Sequence, residues 1–109
     1  MDIDSIKNIA KETWHIEPKS RYADKDIEAL YVATALSGEV GELLNKVKKL
    51  FRSKYYTEAH SDINAKDLSE EFADILYYLS ILADIYNIKL SDAFNSKMEE
   101  NRRRYGTKS

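Results

Sequence analysis

Apolar residues recur at helical spacing in four stretches of this 109-residue chain. In the first, Ile3, Ile6, Ile9, Ala10, Thr13 and Trp14 mark one face of a helix that stops before Pro18. Residues 17–25 read as a polar connection, after which Asp24 or Asp26 caps a long second helix. Its apolar stripe is Leu36, Val40, Leu43, Leu44, Val47, Leu50 and Phe51, and the period ends near Phe51 or Arg52. Residues 53–63 have no clean period and are expected to form a loop. Asn64, with Asp67 three residues on, resembles a capping arrangement for a third helix running to about Tyr86. Asn87 to Leu90 make a short turn, and Ser91 caps a fourth helix that ends near Gly106. The expected architecture is an all-α four-helix bundle, a single domain over residues 1–109.

The third helix complicates that picture. Phe72, Ile75, Leu76, Tyr77, Tyr78, Leu79, Ile81, Leu82, Ile85 and Tyr86 leave it little face for water. A helix of this kind is normally buried all round, and three short neighbours do not suffice to cover it. A homo-oligomer is therefore expected, a dimer or a tetramer, with Tyr77, Tyr86 and Trp14 as candidate contacts.

Composition adds exclusions. Three Gly, one Pro and 33% charged residues suit long helices better than short strands. A net charge of -2 gives no electrostatic case for a nucleic-acid or anionic-membrane partner. The absence of Cys removes disulfides and thiolate metal sites, in keeping with a cytoplasmic protein. The opening segment lacks the apolar core of a secretory leader. The run from Phe72 to Tyr86 is too short, and too charged at Asp74 and Asp84, to span a bilayer.

Carboxylates then appear where apolar residues are expected. Projected at about 100° per residue, Asp74 falls on the stripe of Tyr78, Ile81 and Ile85, and Glu71 lies beside Tyr78 and Leu82. An ionised carboxylate on such a face is neutralised, paired or bound to a cation. The second helix carries a matching pair, Glu39 and Glu42, flanked by Gly38 and Gly41. Two mid-helix glycines so close together suggest that backbone or ligand approaches there. Four converging carboxylates repel one another unless a divalent cation joins them, and oxygen-only ligands favour Mg²⁺ or Mn²⁺ over Zn²⁺. A di-iron bundle would want Glu-x-x-His, and His15 and His60 are not placed that way. The ordinary readings are a solvated face for Glu39 and Glu42, and a salt bridge to Lys or Arg for Glu71 and Asp74. Basic residues extend the pattern. Lys46 and Lys49 continue the acid stripe, and Lys97, Asn101 and Arg104 fall at i, i+4, i+7 on the fourth helix. Such groups suit phosphate oxygens, although helix pairing and compensation of a helix C-terminus explain them equally well.

Ser37-Gly38-Glu39-Val40-Gly41-Glu42-Leu43, then Glu71-Phe72-Ala73-Asp74, then Lys97-Met98-Glu99-Glu100-Asn101-Arg102-Arg103-Arg104-Tyr105-Gly106 resemble the MazG-like all-α nucleoside triphosphate pyrophosphohydrolases. That group includes dCTP pyrophosphatases and dimeric dUTPases, and the likeness covers roughly residues 27–106. The resemblance implies Mg²⁺-dependent cleavage between the α and β phosphates, giving nucleoside monophosphate and pyrophosphate. It implies Glu39, Glu42, Glu71 and Asp74 as metal ligands, one glutamate also orienting or deprotonating water. It further implies Lys46, Lys49, Lys97 and Arg104 at phosphates, Asn101 near sugar or phosphate, and Tyr78 lining the pocket. A homo-oligomeric assembly and a house-cleaning role in the nucleotide pool belong to the same expectation. Two features differ from the dCTP pyrophosphatases: Trp14-His15-Ile16-Glu17-Pro18 is a looser form of their His-x-Pro element, and Lys49 stands where they carry Trp. Base specificity is therefore not carried over.

The competing reading is a non-enzymatic helical module that oligomerises or docks a partner through Tyr77, Tyr78 and Tyr86. Metal-dependent stability requiring Asp74 separates the two. A DNA-binding helix pair using Arg102, Arg103 and Arg104 is weaker, because that charge is local and the total is negative.

Overall fold

Four helices and no strand make up the described residues, 1–17, 24–56 and 63–106, of the computed structural model. They are α1 (Ile3–Ile16), α2 (Lys25–Tyr55), α3 (Ala65–Ile85) and α4 (Leu90–Tyr105). Pro18, His60 and the middles of both expected connections lie outside the described residues.

Local chemistry sets the helix ends. The Asp2 carboxylate caps α1 by accepting from the Ser5 N–H at 2.8 Å. Asp24 caps α2, accepting from the N–H groups of Asp26 and Ile27. The expected stop near Phe51 falls short, because the helix continues to Tyr55. Phe51 and Tyr55 stack one turn apart with ring centroids 4.7 Å apart, and the Ser53 hydroxyl donates back to the Leu50 carbonyl. Asn64 and Asp67 close a capping box at the start of α3, each side chain accepting from the other's backbone N–H.

The end of α3 is a left-handed cap. Asn87 sits at φ 56°, its N–H donating to the Asp84 carbonyl and that of Ile88 to the Ala83 carbonyl. Ser91 does not cap α4; the N-cap is Lys89, with no side-chain hydrogen bond. The Ser91 hydroxyl donates instead to the Asp4 carboxylate at 2.9 Å and ties α4 to α1. Gly106, at φ 61°, closes α4.

Lys46 meets Glu71 while Val32 packs with Ile81, so α2 and α3 run antiparallel. α1 packs on α3, and α4 packs lightly on α1. The core is small: Ala10, Trp14, Val32 and Ile81, ringed by Tyr31, Tyr77, Tyr78, Leu82 and Ile85. Trp14, 2% exposed, meets Tyr31 and Tyr77 at ring distances of 6.2 and 6.4 Å. Trp14 is therefore a core residue and not the surface contact its greasy setting suggested, whereas Tyr77 is half-buried against the core and Tyr86 is exposed.

Much apolar surface stays uncovered. Val40, Leu44, Val47 and Phe51 form an exposed seam on α2, and Phe72, Leu79 and Tyr86 another on α3. The accessible surface is 8347 Å², whereas a compact monomer of 12.6 kDa has about 6200 Å². The radius of gyration is 17.6 Å, against about 13 Å for a compact domain of this length. Among the described residues no helix is long and apolar enough to cross a membrane.

Candidate active site

The antiparallel contact of α2 with α3 brings the acid motifs face to face. One carboxylate oxygen from each of Glu39, Glu42 and Glu71 lies within 4.8 Å of the others. Glu39 and Glu42 are one turn apart on α2, the first half-buried and the second exposed. Glu71 enters from α3 and is only 5% exposed.

Glu71 organises the cleft. Its Oε1 accepts from Lys46 Nζ at 2.7 Å, and its Oε2 is buried without a hydrogen-bond partner. The Lys46 hydrogen bond holds the Glu71 carboxyl below the usual carboxylate range, and Glu71 in turn pushes the Lys46 ammonium up. Glu39 moves the other way. Burial, contact with Glu71 and the charges of Asp74, Glu71 and Glu42 push its carboxyl up. In the ion-free cleft, like-charge repulsion therefore falls on Glu39 while Glu71 stays ionised beside its lysine. Three convergent hard oxygens, with a buried Glu71 oxygen that lacks a hydrogen-bond partner, fit a small divalent cation.

The remaining candidates divide. Asp74 is exposed and outside the trio, although its charge reaches Glu39. The helical projection put it on the apolar face; the helix contact instead turns Glu71 inward and leaves Asp74 at the rim. A Cβ added at Gly38 or Gly41 would meet nothing within 4 Å, so no described backbone approaches them. Lys49 is exposed one turn beyond Lys46. Tyr78 is half-buried against the core, its ring 5.1 Å from that of Tyr77. Lys97, Asn101 and Arg104 are not brought to the trio. They ride on α4, which packs against α1; Lys97 pairs with Glu100 at 3.5 Å, and Arg104 stacks 5.4 Å from the Tyr105 ring centroid.

The spacing along α2 suits Lys46 to phosphate, and the register of α2 on α3 is what makes it the partner of Glu71. A cavity of about 460 Å³, lined by residues including Lys11, Trp14, His15, Lys25 and Asp84, lies towards the far end of α2 and α3. Nothing in the sequence pattern marked it, and the carboxylate trio does not line it.

Residues 28–107 match the MazG nucleotide pyrophosphohydrolase domain. The chain is 38% identical over 87 residues to the Gene 37 protein of Mycobacterium phage L5, covering 79% of this chain and 74% of that protein. It is 38% identical over 91 residues to dCTP pyrophosphatase 1 of Mus musculus, covering 76% of this chain and 51% of the relative. Identity to dCTP pyrophosphatase 1 of Bos taurus is 37% over 87 residues, with coverage of 76% and 52%. The chain thus spans about half the length of these dCTP pyrophosphatases.

Proposed function

The chain belongs to the MazG nucleotide pyrophosphohydrolase family, and we propose that it hydrolyses a nucleoside or deoxynucleoside triphosphate between the α and β phosphates. Water adds to the α phosphorus, the bond to the bridging oxygen breaks, and that oxygen leaves with pyrophosphate, the second product being the monophosphate. The observation that carries this reading is the convergence of Glu39, Glu42 and Glu71, with an orphaned oxygen on the buried member.

Glu39, Glu42 and Glu71, with Asp74 at the rim, would hold Mg²⁺, and Mn²⁺ meets the same demands. When bound, the ion supplies charge neutralisation and Lewis acidity. A carboxylate oxygen of the trio not engaged in binding orients the attacking water and accepts its proton. Lys46 and Lys49, along one side of α2, face the phosphates, and Tyr78 lines the pocket wall; Lys97 and Arg104, held away from the trio within one chain, reach phosphate, and Asn101 sugar or phosphate, in the assembled oligomer. Phosphoryl transfer asks for positioning and neutralised charge more than for a covalent nucleophile, which suits a site made of acids and lysines.

The working assembly in this reading is a homodimer or homotetramer. The exposed seams on α2 and α3 and the excess of surface over a compact monomer support it. The role is nucleotide-pool house-cleaning in the cytoplasm. The same seams are what a non-enzymatic docking module would display, and only such a module would keep its function with the acids replaced.

The test is a panel of ribo- and deoxyribonucleoside triphosphates incubated with protein and Mg²⁺, deoxycytidine triphosphate first because of the relatives' activity. Monophosphate and pyrophosphate are the expected products, lost in Glu71→Gln. Orthophosphate release would overturn the cleavage position, and no turnover of any triphosphate would leave the docking module.

A further inference from the structure

The carboxylate cleft already contains a positive charge of its own. Lys46 follows Glu42 by one turn on α2, and its ammonium crosses to Oε1 of Glu71 on α3 at 2.7 Å. The two side chains differ in freedom. That of Glu71 is 6% exposed and fixed between the helices, whereas that of Lys46 is 26% exposed and hangs on a flexible four-carbon stem. The ammonium can therefore swing away while the carboxylate stays.

Charge explains what the lysine does there. Glu39, Glu42 and Glu71 converge with Asp74 at the rim, and an ionised carboxylate buried as deeply as Glu71 is costly without a partner. Lys46 supplies that partner through one oxygen only. The other oxygen, Oε2, is buried with no hydrogen bond, and Glu39 is still pushed up by burial and by its acidic neighbours. One ammonium thus holds the acids together incompletely, in a place that a dication would fill better.

The same ammonium opposes that dication. An ion taking Oε2 meets Lys46 on the other oxygen of the same carboxylate, and a positive charge so placed lowers the affinity of the acids for a second cation. An ion that arrives with a triphosphate removes the conflict, because phosphate oxygens offer the ammonium a new acceptor as the metal takes over the carboxylate.

We infer that Lys46 is a tethered counter-ion that stands in for the metal in the empty cleft, weakens capture of the free ion, and passes from Glu71 to phosphate when the ion arrives with a triphosphate. The inference rests on the reading of the trio as a metal–triphosphate site. It goes beyond that reading by naming what the cleft admits, the metal–phosphate complex in preference to the bare ion. A lysine that merely pins α2 to α3 predicts the opposite sign, since breaking the pin would loosen the trio and weaken its hold on metal.

Calorimetric titration of Mn²⁺ alone into wild type, Lys46→Met, Lys46→Gln and Lys46→Arg separates the two roles. Loss of the charge in the Met and Gln variants is expected to tighten Mn²⁺ uptake about tenfold. The Arg variant, which keeps the charge, is expected to restore the weaker uptake. Gln retains a donor for Glu71, so a fold that needs that hydrogen bond survives in one neutral variant. In EDTA both neutral variants should melt below the wild type, and saturating Mn²⁺ should raise them by more than it raises the wild type.

The second arm uses the Mn²⁺ complex of inorganic tripolyphosphate, which has the phosphate chain of every nucleoside triphosphate and no base. Wild type is expected to bind the complex more tightly than the free ion. The neutral variants should bind it no more tightly than wild type does, so their preference for the complex falls about tenfold. A complex tightened by the same factor as the free ion would overturn the transfer to phosphate. Free-ion uptake left unchanged or weakened in both neutral variants would overturn the counter-ion and leave the metal site standing. A wild type that takes up neither form of Mn²⁺ would remove the metal reading and this inference with it.

Discussion

Replacing Glu39 with Gln is expected to stabilise the ion-free protein while destroying its affinity for a divalent cation. Glu39 is half-buried, and burial together with Glu71, Asp74 and Glu42 pushes its carboxyl above the ordinary value of 4.5. A carboxyl raised on folding contributes stability that is fully present below about pH 4.5 and lost as pH rises through the raised value. At neutral pH the ionised group therefore opposes folding, and Gln removes the charge at nearly constant volume. Glu39 keeps a face to water, so the gain, discounted for screening, is about 1 kcal/mol. For a domain of this length that corresponds to a rise of about 4–8 °C in Tm. Melting curves in EDTA at pH 7.5 should place the variant above the wild type, and the gap should close at pH 4. Mg²⁺ at ten times its Kd should raise the wild type by about 1.4 kcal/mol and leave Glu39→Gln nearly unmoved, reversing their order. A variant that melts below the wild type in EDTA, or a gap that persists at pH 4, would refute the reasoning.

Other outcomes follow from the same contacts. Trp14→Ala should cost about 3–5 kcal/mol in urea unfolding, because the indole is the largest buried group between α1, α2 and α3; a loss below about 1 kcal/mol would count against that core. Gly41→Ala has open space for its Cβ and should raise stability by about 0.5–1 kcal/mol through helix propensity; a lowered Tm would reveal a neighbour that one chain does not contain. Asn64→Ala breaks the capping box of α3 and should cost about 1 kcal/mol, with Asn64→Ser recovering most of it in the same unfolding assay.

The helix caps were legible because they are local. Asp24 and the Asn64–Asp67 box satisfy backbone N–H groups within three residues, so the pattern along the chain contains all the geometry they need. Ser91 misled for the converse reason: its hydroxyl takes the distant Asp4 carboxylate, a competition that no local rule registers. The apolar period along α2 ends near Phe51, whereas the helix runs to Tyr55, whose ring stacks on that of Phe51. Pairing Glu39 and Glu42 with Glu71 was readable from spacing on two consecutive helices, whereas the rim position of Asp74 depends on how α2 and α3 meet. Burial followed the same limit. Apolar pattern shows that a face avoids water, but not whether its own chain covers it, which is why Trp14 is buried and Val40, Leu44 and Phe72 are not.

The cation site itself is best tested by titrating Mn²⁺ into the protein and following the electron paramagnetic resonance signal of the free ion. Saturable uptake by the wild-type chain is predicted, weakened at least tenfold by Glu39→Gln or Glu71→Gln and unchanged by Glu28→Gln, which lies at the other end of α2. Equal uptake by all four proteins, or no uptake by the wild type, would contradict a metal held between α2 and α3.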